Sequence, residues 1–199
     1  FASNCLPGPA DLSVVEADEF DRSFLHLHPK AAVITSTDAD HLDIYGEADS
    51  VVDGFRAFAG QVTGPLFAGP GCAELEGAES YGRPGDRYSY RDVQVVNGIQ
   101  HFTLLVDGIE VRTQAGLPGL HNVENAVAAA ALAHSVGMPA AAIGDMISAK
   151  LGTAKAATTG KPPLPSPTNT AAKVARLQNI RPDSMLKILQ ARIRVSAEG

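Results

Sequence analysis

Two acidic segments contain the residue types that bind divalent cations. The first, Glu16-Ala17-Asp18-Glu19-Phe20-Asp21, holds four carboxylates within six positions. Like charges about 4 Å apart repel by roughly 1–4 kcal/mol, depending on the local dielectric, so a bound cation would stabilise this cluster. A solvated acidic loop is the alternative interpretation, and this segment alone favours neither.

The second segment, Thr37-Asp38-Ala39-Asp40-His41-Leu42-Asp43, combines carboxylates with a histidine. If the strands that precede the two segments are neighbours, Glu16 and His41 can converge on one cation. Oxygen ligands with open positions for water suit Mg²⁺, which typically bridges to substrate phosphates, although an imidazole is a less usual ligand for this ion. The alternative, which this segment taken alone favours, is the start of a helix with a surface histidine.

A third segment, His121-Asn122-Val123-Glu124-Asn125, has two carboxamides three residues apart. On a helix, Asn122 and Asn125 would share a face, where their amides could donate to and accept from the edge of a purine. Helix capping by Asn122 and Glu124 is the alternative, and the spacing alone favours it. No phosphate-binding G-x-x-x-x-G-K-[ST] motif occurs in the chain, and Gly69-Pro70-Gly71 is interpreted as a turn.

The elements that would position these segments indicate an α/β fold. Residues 12–15 and 31–36 are short apolar runs that each lead into polar residues, as buried strands of a parallel sheet do. Such sheets bind ligands at the carboxyl ends of their strands. The spacing of apolar residues predicts an amphipathic helix from about residue 48 to about residue 62.

A small antiparallel subsheet is predicted between residues 64 and 113. Strand-like runs in this region are separated by Asn97-Gly98 and Asp107-Gly108, which are typical of two-residue hairpin turns. An alanine-rich helix is predicted beyond it, from about residue 123 to about residue 136. Gly137-Met138-Pro139 ends this helix, and a second helix is predicted to end near residue 149.

Composition and charge exclude several classes of protein. The net charge of −6 argues against a general nucleic-acid-binding protein, and no apolar run approaches the roughly 20 residues of a membrane span. Cys5 and Cys72 fit neither a metal motif nor a disulfide framework, so we expect free thiols in a reducing cytosol. Because the chain begins at Phe1 without a signal peptide, we expect a processed chain or a piece of a longer protein.

The composition changes near residue 150. Residues 150–199 contain nine of the 16 lysines and arginines but only two of the 22 acids, together with a proline-rich stretch at 161–167. Apolar residues at positions 174, 177, 185, 188, 189 and 193 show some helical periodicity, with Pro182 between the two sets. This pattern predicts one or two solvated amphipathic helices.

In their order and spacing, the three segments resemble the central, ATP-binding domain of the Mur ligases of peptidoglycan synthesis. The resemblance covers about residues 13–149 and rests on Glu16-Ala17-Asp18-Glu19-x-Asp21-x-Ser23-Phe24, Ile34-Thr35-x-x-Asp38-x-Asp40-His41-Leu42-Asp43-x-Tyr45 and Gly119-x-His121-Asn122-x-x-Asn125-Ala126. The first segment is most similar to the branch that adds L-alanine. Other branches carry a carbamylated lysine just after the histidine motif, whereas Arg56 lies in that neighbourhood here.

The resemblance implies a mainly parallel, P-loop-like sheet flanked by helices. It implies that Glu16 and His41 ligate Mg²⁺ bound to the ATP phosphates and act in catalysis, and that His121, Asn122 and Asn125 hold the adenine. The implied reaction is that of a cytoplasmic ligase. The lactyl carboxylate of UDP-N-acetylmuramate attacks the γ-phosphate of ATP, and the amine of L-alanine then displaces phosphate from the acyl phosphate.

The resemblance assigns residues 1–149 to a partial central domain and leaves residues 150–199 as a basic tail, which could be a divergent domain, a fusion or a product of a shifted reading frame. The abrupt change in composition favours the last. The family's phosphate loop, UDP-binding domain and C-terminal substrate-binding domain have no counterpart here, so we expect the isolated chain to be inactive. Two alternative functions are a murein-peptide recycling ligase of the same family and a non-catalytic nucleotide-binding module.

Overall fold

The computed structural model describes residues 12–17, 22–38, 48–116, 118–151 and 188–193. Within these ranges the elements are β1 (Leu12–Ala17), a 3₁₀ helix (Ser23–His26), β2 (Ala31–Ser36), α1 (Ala48–Ala59), β3 (Leu66–Gly71), β4 (Glu79–Ser80), β5 (Tyr88–Val96), β6 (Ile99–Val106), β7 (Ile109–Ala115), α2 (Leu120–Ser135), α3 (Ala140–Leu151) and β8 (Ile188–Ile193).

The main sheet has the strand order β1-β8-β2-β3-β4. Strands β2, β3 and β4 are parallel, whereas β8 is antiparallel to both β1 and β2. Strand β1 therefore runs in the same direction as β2, and the predicted α/β fold with a mainly parallel sheet is confirmed.

The main sheet is buried on both faces. Along β2, Ala31 and Val33 belong to one hydrophobic cluster, and Ala32 and Ile34 belong to the other. Because successive strand residues point to opposite faces, burial of both faces requires the continuous apolar run seen in the sequence. The first cluster includes residues of α2 and α3, and the second includes residues of α1 and the 3₁₀ helix.

The second sheet, β5-β6-β7, is antiparallel, as predicted. Its two hairpin turns have positive φ at both central residues: 53° and 78° at Asn97 and Gly98, and 52° and 79° at Asp107 and Gly108. These angles are those of type I′ turns, whose twist matches that of the flanking strands. The hairpin prediction is therefore confirmed at both turns.

The prediction of an antiparallel region is wrong for the part of the chain that forms β3 and β4. Both strands belong to the main sheet, and Gly69-Pro70-Gly71 is the end of β3 rather than a turn. A Cβ at Gly69 would lie 2.6 Å from the Thr35 carbonyl oxygen and 2.9 Å from the Tyr81 hydroxyl oxygen. Glycine is needed at this position because the neighbouring strand and the tyrosine approach closely.

The helices differ from the prediction at their ends, and residues 188–193 of the tail differ in their type of secondary structure. Helix α1 ends at Ala59, three residues early, and α2 begins at Leu120, three residues early. Ile188–Ile193 is a strand, so the helical interpretation of this segment is wrong. Pairing with β1 and β2 outweighs its local periodicity. The apolar positions 174, 177 and 185 lie outside the described residues.

Candidate functional site

Glu16 lies one residue before the end of β1, and its side chain is exposed. Its backbone is opposite Leu189 of β8, and the next residue, Ala17, is buried. This position is the carboxyl end of the strand, as the sequence predicts. Outside the described residues lie the other acids of this segment, Asp18, Glu19 and Asp21.

Hydrogen bonds tie the end of β2 to the residues that end and follow β3. The Thr37 amide donates to the Gly71 carbonyl at 3.3 Å, and the Ala73 amide donates to the buried Thr37 hydroxyl at 2.7 Å. The Ser36 hydroxyl lies 3.0 Å from Oδ2 of Asp38 and also accepts from the Asp38 amide at 3.0 Å. These bonds hold the exposed Asp38 carboxylate at the carboxyl edge of the sheet.

The predicted convergence of Glu16 and His41 remains a prediction, because His41 lies outside the described residues. The condition attached to it, that β1 and β2 are neighbours, is not met, since β8 lies between them. Two inter-strand spacings, about 10 Å, separate the two backbones. Along the strand direction, Glu16 is level with Leu189 of β8 and Val33 of β2, three residues before the end of β2.

Asn122 lies within α2 and does not cap it. The residue at the cap position is Gly119, with φ 127°, and no side chain caps the helix there. The capping alternative for Asn122 and Glu124 is therefore wrong. The Asn122 side-chain amide instead donates to the Pro118 carbonyl at 3.2 Å, and Asn125 is partly buried one turn further on.

The exposed His121 packs on Gly119, the N-cap residue of α2. A Cβ at Gly119 would lie 2.5 Å from Cε1 of the His121 ring. Glycine is needed here both for the positive φ and for this contact. His121, Asn122 and Asn125 are thus within the first two turns of α2, while their role in binding a base stays a prediction.

Glu124 is a half-buried carboxyl group in the same turns. Burial raises its pKa, and the nearby His121 partly offsets this increase. The pKa values of Tyr81 and Tyr90 are also raised, mainly by burial and in part by Glu124. Tyr81 immediately follows β4, and it belongs to the same buried hydrophobic cluster as Phe67 of β3 and Val123 in the first turn of α2.

Cys72 lies directly after β3, at the carboxyl edge of the main sheet. Its thiol donates to the Ile34 carbonyl at 3.2 Å, and burial raises its pKa to about 11. Arg83 lowers and Asp38 raises this pKa, so both charges lie near the thiol. The Arg83 guanidinium also donates to the Pro70 carbonyl at 3.2 Å.

Sequence patterns did not identify Tyr81 or Arg83 as members of this edge. Both follow a two-residue strand that has no periodic signal, and their position depends on pairing of β4 with β3.

Among the described residues, no group of three or more His, Cys, Asp or Glu side chains could hold a metal ion. No helix in the described ranges is long and apolar enough to cross a membrane.

The chain is similar to several UDP-N-acetylmuramate–L-alanine ligases. Those of Flavobacterium psychrophilum, Flavobacterium johnsoniae and Thermobifida fusca are 38%, 40% and 41% identical to it over 146, 150 and 143 residues. The alignments cover 72%, 74% and 65% of this chain and 32%, 33% and 30% of the relatives. The chain thus spans about a third of the length of the curated relatives it matches. No family model matches the chain.

The matched part of the chain belongs to the Mur ligase family. Solved Mur ligases share its fold. MurF from Acinetobacter baumannii superimposes with a TM-score of 0.55 at 18% identity, covering 63% of this chain and 30% of that one. UDP-N-acetylmuramate-alanine ligase MurC from Thermotoga maritima gives 0.52 at 22% identity, covering 64% and 30%. The Mur ligase resemblance predicted from the three motif segments is confirmed.

Proposed function

We propose that the protein containing this Mur ligase segment is an ATP-dependent ligase that joins L-alanine to UDP-N-acetylmuramate in peptidoglycan precursor synthesis. The observation that carries the proposal is the 38–41% identity to relatives that are all named for this reaction. The activity belongs to the whole protein, because the chain spans about a third of those relatives.

In the proposed reaction, a carboxylate oxygen of UDP-N-acetylmuramate attacks the γ-phosphorus of ATP, and ADP leaves. The amine nitrogen of L-alanine then attacks the acyl carbon, phosphate leaves with the former carboxylate oxygen, and the amine loses a proton as the amide forms. Positioning and charge neutralisation supply most of the rate enhancement in phosphoryl transfer of this kind.

Glu16 and His41 are proposed to hold Mg²⁺ at the carboxyl edge of the main sheet. The Glu16 carboxylate suits this ion because Mg²⁺ prefers oxygen ligands, and its exposed position at the end of β1 leaves it accessible. When bound, the ion would neutralise charge on the transferring phosphoryl group. The Asp38 carboxylate, fixed by Ser36 at the end of β2, would add negative charge beside this site.

His121, Asn122 and Asn125 are proposed to bind the adenine. Only one described hydrogen bond involves the Asn122 side chain, the one to Pro118, so its carbonyl oxygen and second N–H can pair with a base. The proximity of Glu124 to Tyr81 supports the proposal, because it brings this turn of α2 to the edge where parallel sheets bind nucleotides. A cytoplasmic location is proposed as well, in keeping with the free thiol of Cys72.

The test is ADP release by the whole protein with UDP-N-acetylmuramate, in the presence and absence of L-alanine. We expect Glu16→Gln to lower kcat/KM by about 10²-fold or more, since it removes a charged ligand of the proposed ion. Asn125→Ala should raise the KM for ATP by roughly tenfold, as expected for one or two lost hydrogen bonds. Glu110→Gln, in an exposed pair with Arg91 on the antiparallel sheet, is the matched control and should leave both constants unchanged.

Equal activity of the Glu16→Gln and Glu110→Gln proteins would contradict the assignment of Glu16. Product formation with another amino acid in preference to L-alanine would contradict the proposed substrate. The 199-residue chain alone should form no product.

A further inference from the structure

The loop that follows β4 carries an exposed arginine at the carboxyl edge of the main sheet. Arg83 comes two residues after Tyr81, which itself directly follows β4. Among the described residues, the Arg83 guanidinium donates one hydrogen bond, to the Pro70 carbonyl near the end of β3, at 3.2 Å. Because a guanidinium has five N–H donors, most of them remain for another partner.

The backbone of this loop is held by Asp86. The Arg83 amide donates to Oδ2 of Asp86 at 2.8 Å, and the Ser80 hydroxyl donates to Oδ1 at 2.7 Å. The Asp86 amide donates in turn to the Arg83 carbonyl at 3.1 Å. An amide and a hydroxyl group thus use the two oxygens of the carboxylate that is nearest in sequence, and the loop is fixed without neutralising the guanidinium.

The charge of Arg83 is not balanced by an ion pair within the described ranges. Arg56, Arg87 and Arg91 each pair with a carboxylate. Arg83 forms no such pair there, although residues 1–149 contain 20 of the 22 acids of the chain. A fixed and unpaired guanidinium is suited to bind an anionic ligand, since arginine forms strong bidentate hydrogen bonds with phosphate.

The thiol of Cys72 indicates which part of the edge this charge occupies. Arg83 lowers and Asp38 raises the pKa of the thiol, so both charges lie near it. Cys72 directly follows β3, and its thiol donates to the Ile34 carbonyl of β2. Together with the hydrogen bond to Pro70, this places the guanidinium at the end of β3, the strand between β2 and β4.

We propose that Arg83 binds the α-phosphate of the nucleotide, the phosphate next to the ribose. This inference rests on the proposed function, in which the adenine binds at the start of α2 and the terminal phosphates bind near Glu16 of β1. Val123, in the first turn of α2, shares a buried cluster with Tyr81, directly after β4. A nucleotide that extends from this end of α2 toward β1 passes over the end of β3, where the Arg83 guanidinium lies.

The test is the affinity of the whole protein for adenosine, AMP, ADP and ATP, measured by displacement of a fluorescent ADP analogue. Arg83→Gln should raise the Kd of AMP, ADP and ATP by about 10- to 10²-fold each, as expected for a lost charge-assisted contact, and should leave the Kd of adenosine unchanged. Arg83→Lys, which keeps the charge but not the planar fork, should have a smaller effect of the same pattern.

Arg112→Gln is the matched control. Arg112 lies in β7, is also exposed, and forms no ion pair with a carboxylate among the described residues. Because it belongs to the antiparallel sheet rather than to the edge of the main sheet, its substitution should change none of the four affinities.

The four ligands separate a phosphate contact from other effects of the substitution. An equal loss for adenosine and AMP would show that Arg83→Gln disturbs the site as a whole, and unchanged affinities would show that Arg83 binds no phosphate; either result overturns the proposal. A loss for ADP and ATP but not for AMP would overturn the assignment to the α-phosphate.

The binding assay contains neither amino acid nor UDP-N-acetylmuramate, so it is independent of the test of the ligase reaction. An Arg83→Gln protein that binds ATP normally would refute the role of Arg83 and leave the proposed ligase function intact. A native protein that forms no product with L-alanine, but loses phosphate-dependent affinity on Arg83→Gln, would refute the proposed reaction and leave the role of Arg83 intact.

Discussion

The Tyr88 hydroxyl lies 3.0 Å from Nδ1 of His134, and this hydrogen bond joins the antiparallel sheet to α2. The two rings meet edge to face, with centroids 5.8 Å apart, and the Tyr88 ring makes a second edge contact with Phe67 of β3 at 5.3 Å. Tyr88 thus packs where both sheets and α2 come together. This junction fixes the helix whose first turns carry the candidate adenine-binding residues.

Tyr88→Phe should lower the free energy of unfolding by about 0.5–1.5 kcal/mol, the usual contribution of one hydrogen bond, because the ring packing is retained. Tyr90→Phe in the same strand is the matched control. Among the described residues the Tyr90 hydroxyl makes no hydrogen bond, so its loss should have little effect. Urea denaturation of both variants measures the difference, and equal losses would show that the bond to His134 contributes nothing specific.

The ion pair between Arg87 and Asp107 should make stability depend on pH in the acidic range. Hydrogen bonds from the Arg87 guanidinium to Asp107, at 2.7 and 3.0 Å, lower the pKa of this carboxyl group. A group whose pKa is lower in the folded state stabilises the protein above its unfolded pKa, and this contribution is lost as the pH falls through the folded value. The stability difference between the native chain and Asp107→Asn should therefore shrink as the pH falls from about 5 to about 2.

The control for this prediction is the same substitution in an Arg87→Gln background. Without the guanidinium, Asp107→Asn should leave the pH profile of the denaturation midpoint nearly unchanged. An identical pH-dependent effect in both backgrounds would mean that another group lowers the pKa of Asp107.

The predictable parts of the fold are those set by local sequence. Burial on both faces required the apolar run of β2, and the dipeptides Asn97-Gly98 and Asp107-Gly108 supply the positive φ values that type I′ turns need. Both features were correctly predicted because their causes lie within a few residues. The prediction of a mainly parallel sheet rested on the first of these features, the apolar run of β2.

The parts that the sequence did not predict depend on contacts between distant residues. Gly69 belongs to a strand because Thr35 and Tyr81 approach it closely, whereas the Gly-Pro-Gly sequence alone indicates a turn. Strand β8 is extended because it pairs with strands more than 150 residues earlier in the chain. At the candidate site, the spacing of Asn122 favoured capping, but Gly119 is the cap residue and Asn122 lies inside the helix.

The contact between α3 and β7 should make Gly144 intolerant of alanine. A Cβ there would lie 2.2 Å from Cγ1 of Val111, a branched side chain with little freedom to move away. Although alanine is normally the better helix residue, we expect Gly144→Ala to destabilise the chain by about 1–3 kcal/mol through overpacking. Gly60→Ala, whose Cβ would meet its nearest neighbour at 3.5 Å, is the matched control and should be neutral or slightly stabilising.

The double variant Gly144→Ala/Val111→Ala tests the cause of this loss. Removing the Val111 methyl groups makes room for the new Cβ, so the alanine at position 144 should cost less in the Val111→Ala background than in the native one. Thermal or urea unfolding of the four proteins gives the coupling energy, and strict additivity would show that the destabilisation has another origin.

Cys72 should be an unreactive thiol at neutral pH. Burial raises its pKa to about 11, and the thiolate is the reactive form. At pH 8 only about 0.1% of such a thiol is ionised, so alkylation by iodoacetamide should be roughly 10²-fold slower than that of a small thiol with a pKa of about 8.5. The measurement uses the Cys5→Ser chain, so that one thiol is followed, with the same chain in urea as the control. The rate of the folded chain should rise about tenfold per pH unit up to pH 10, and a plateau near pH 9 would contradict the raised pKa.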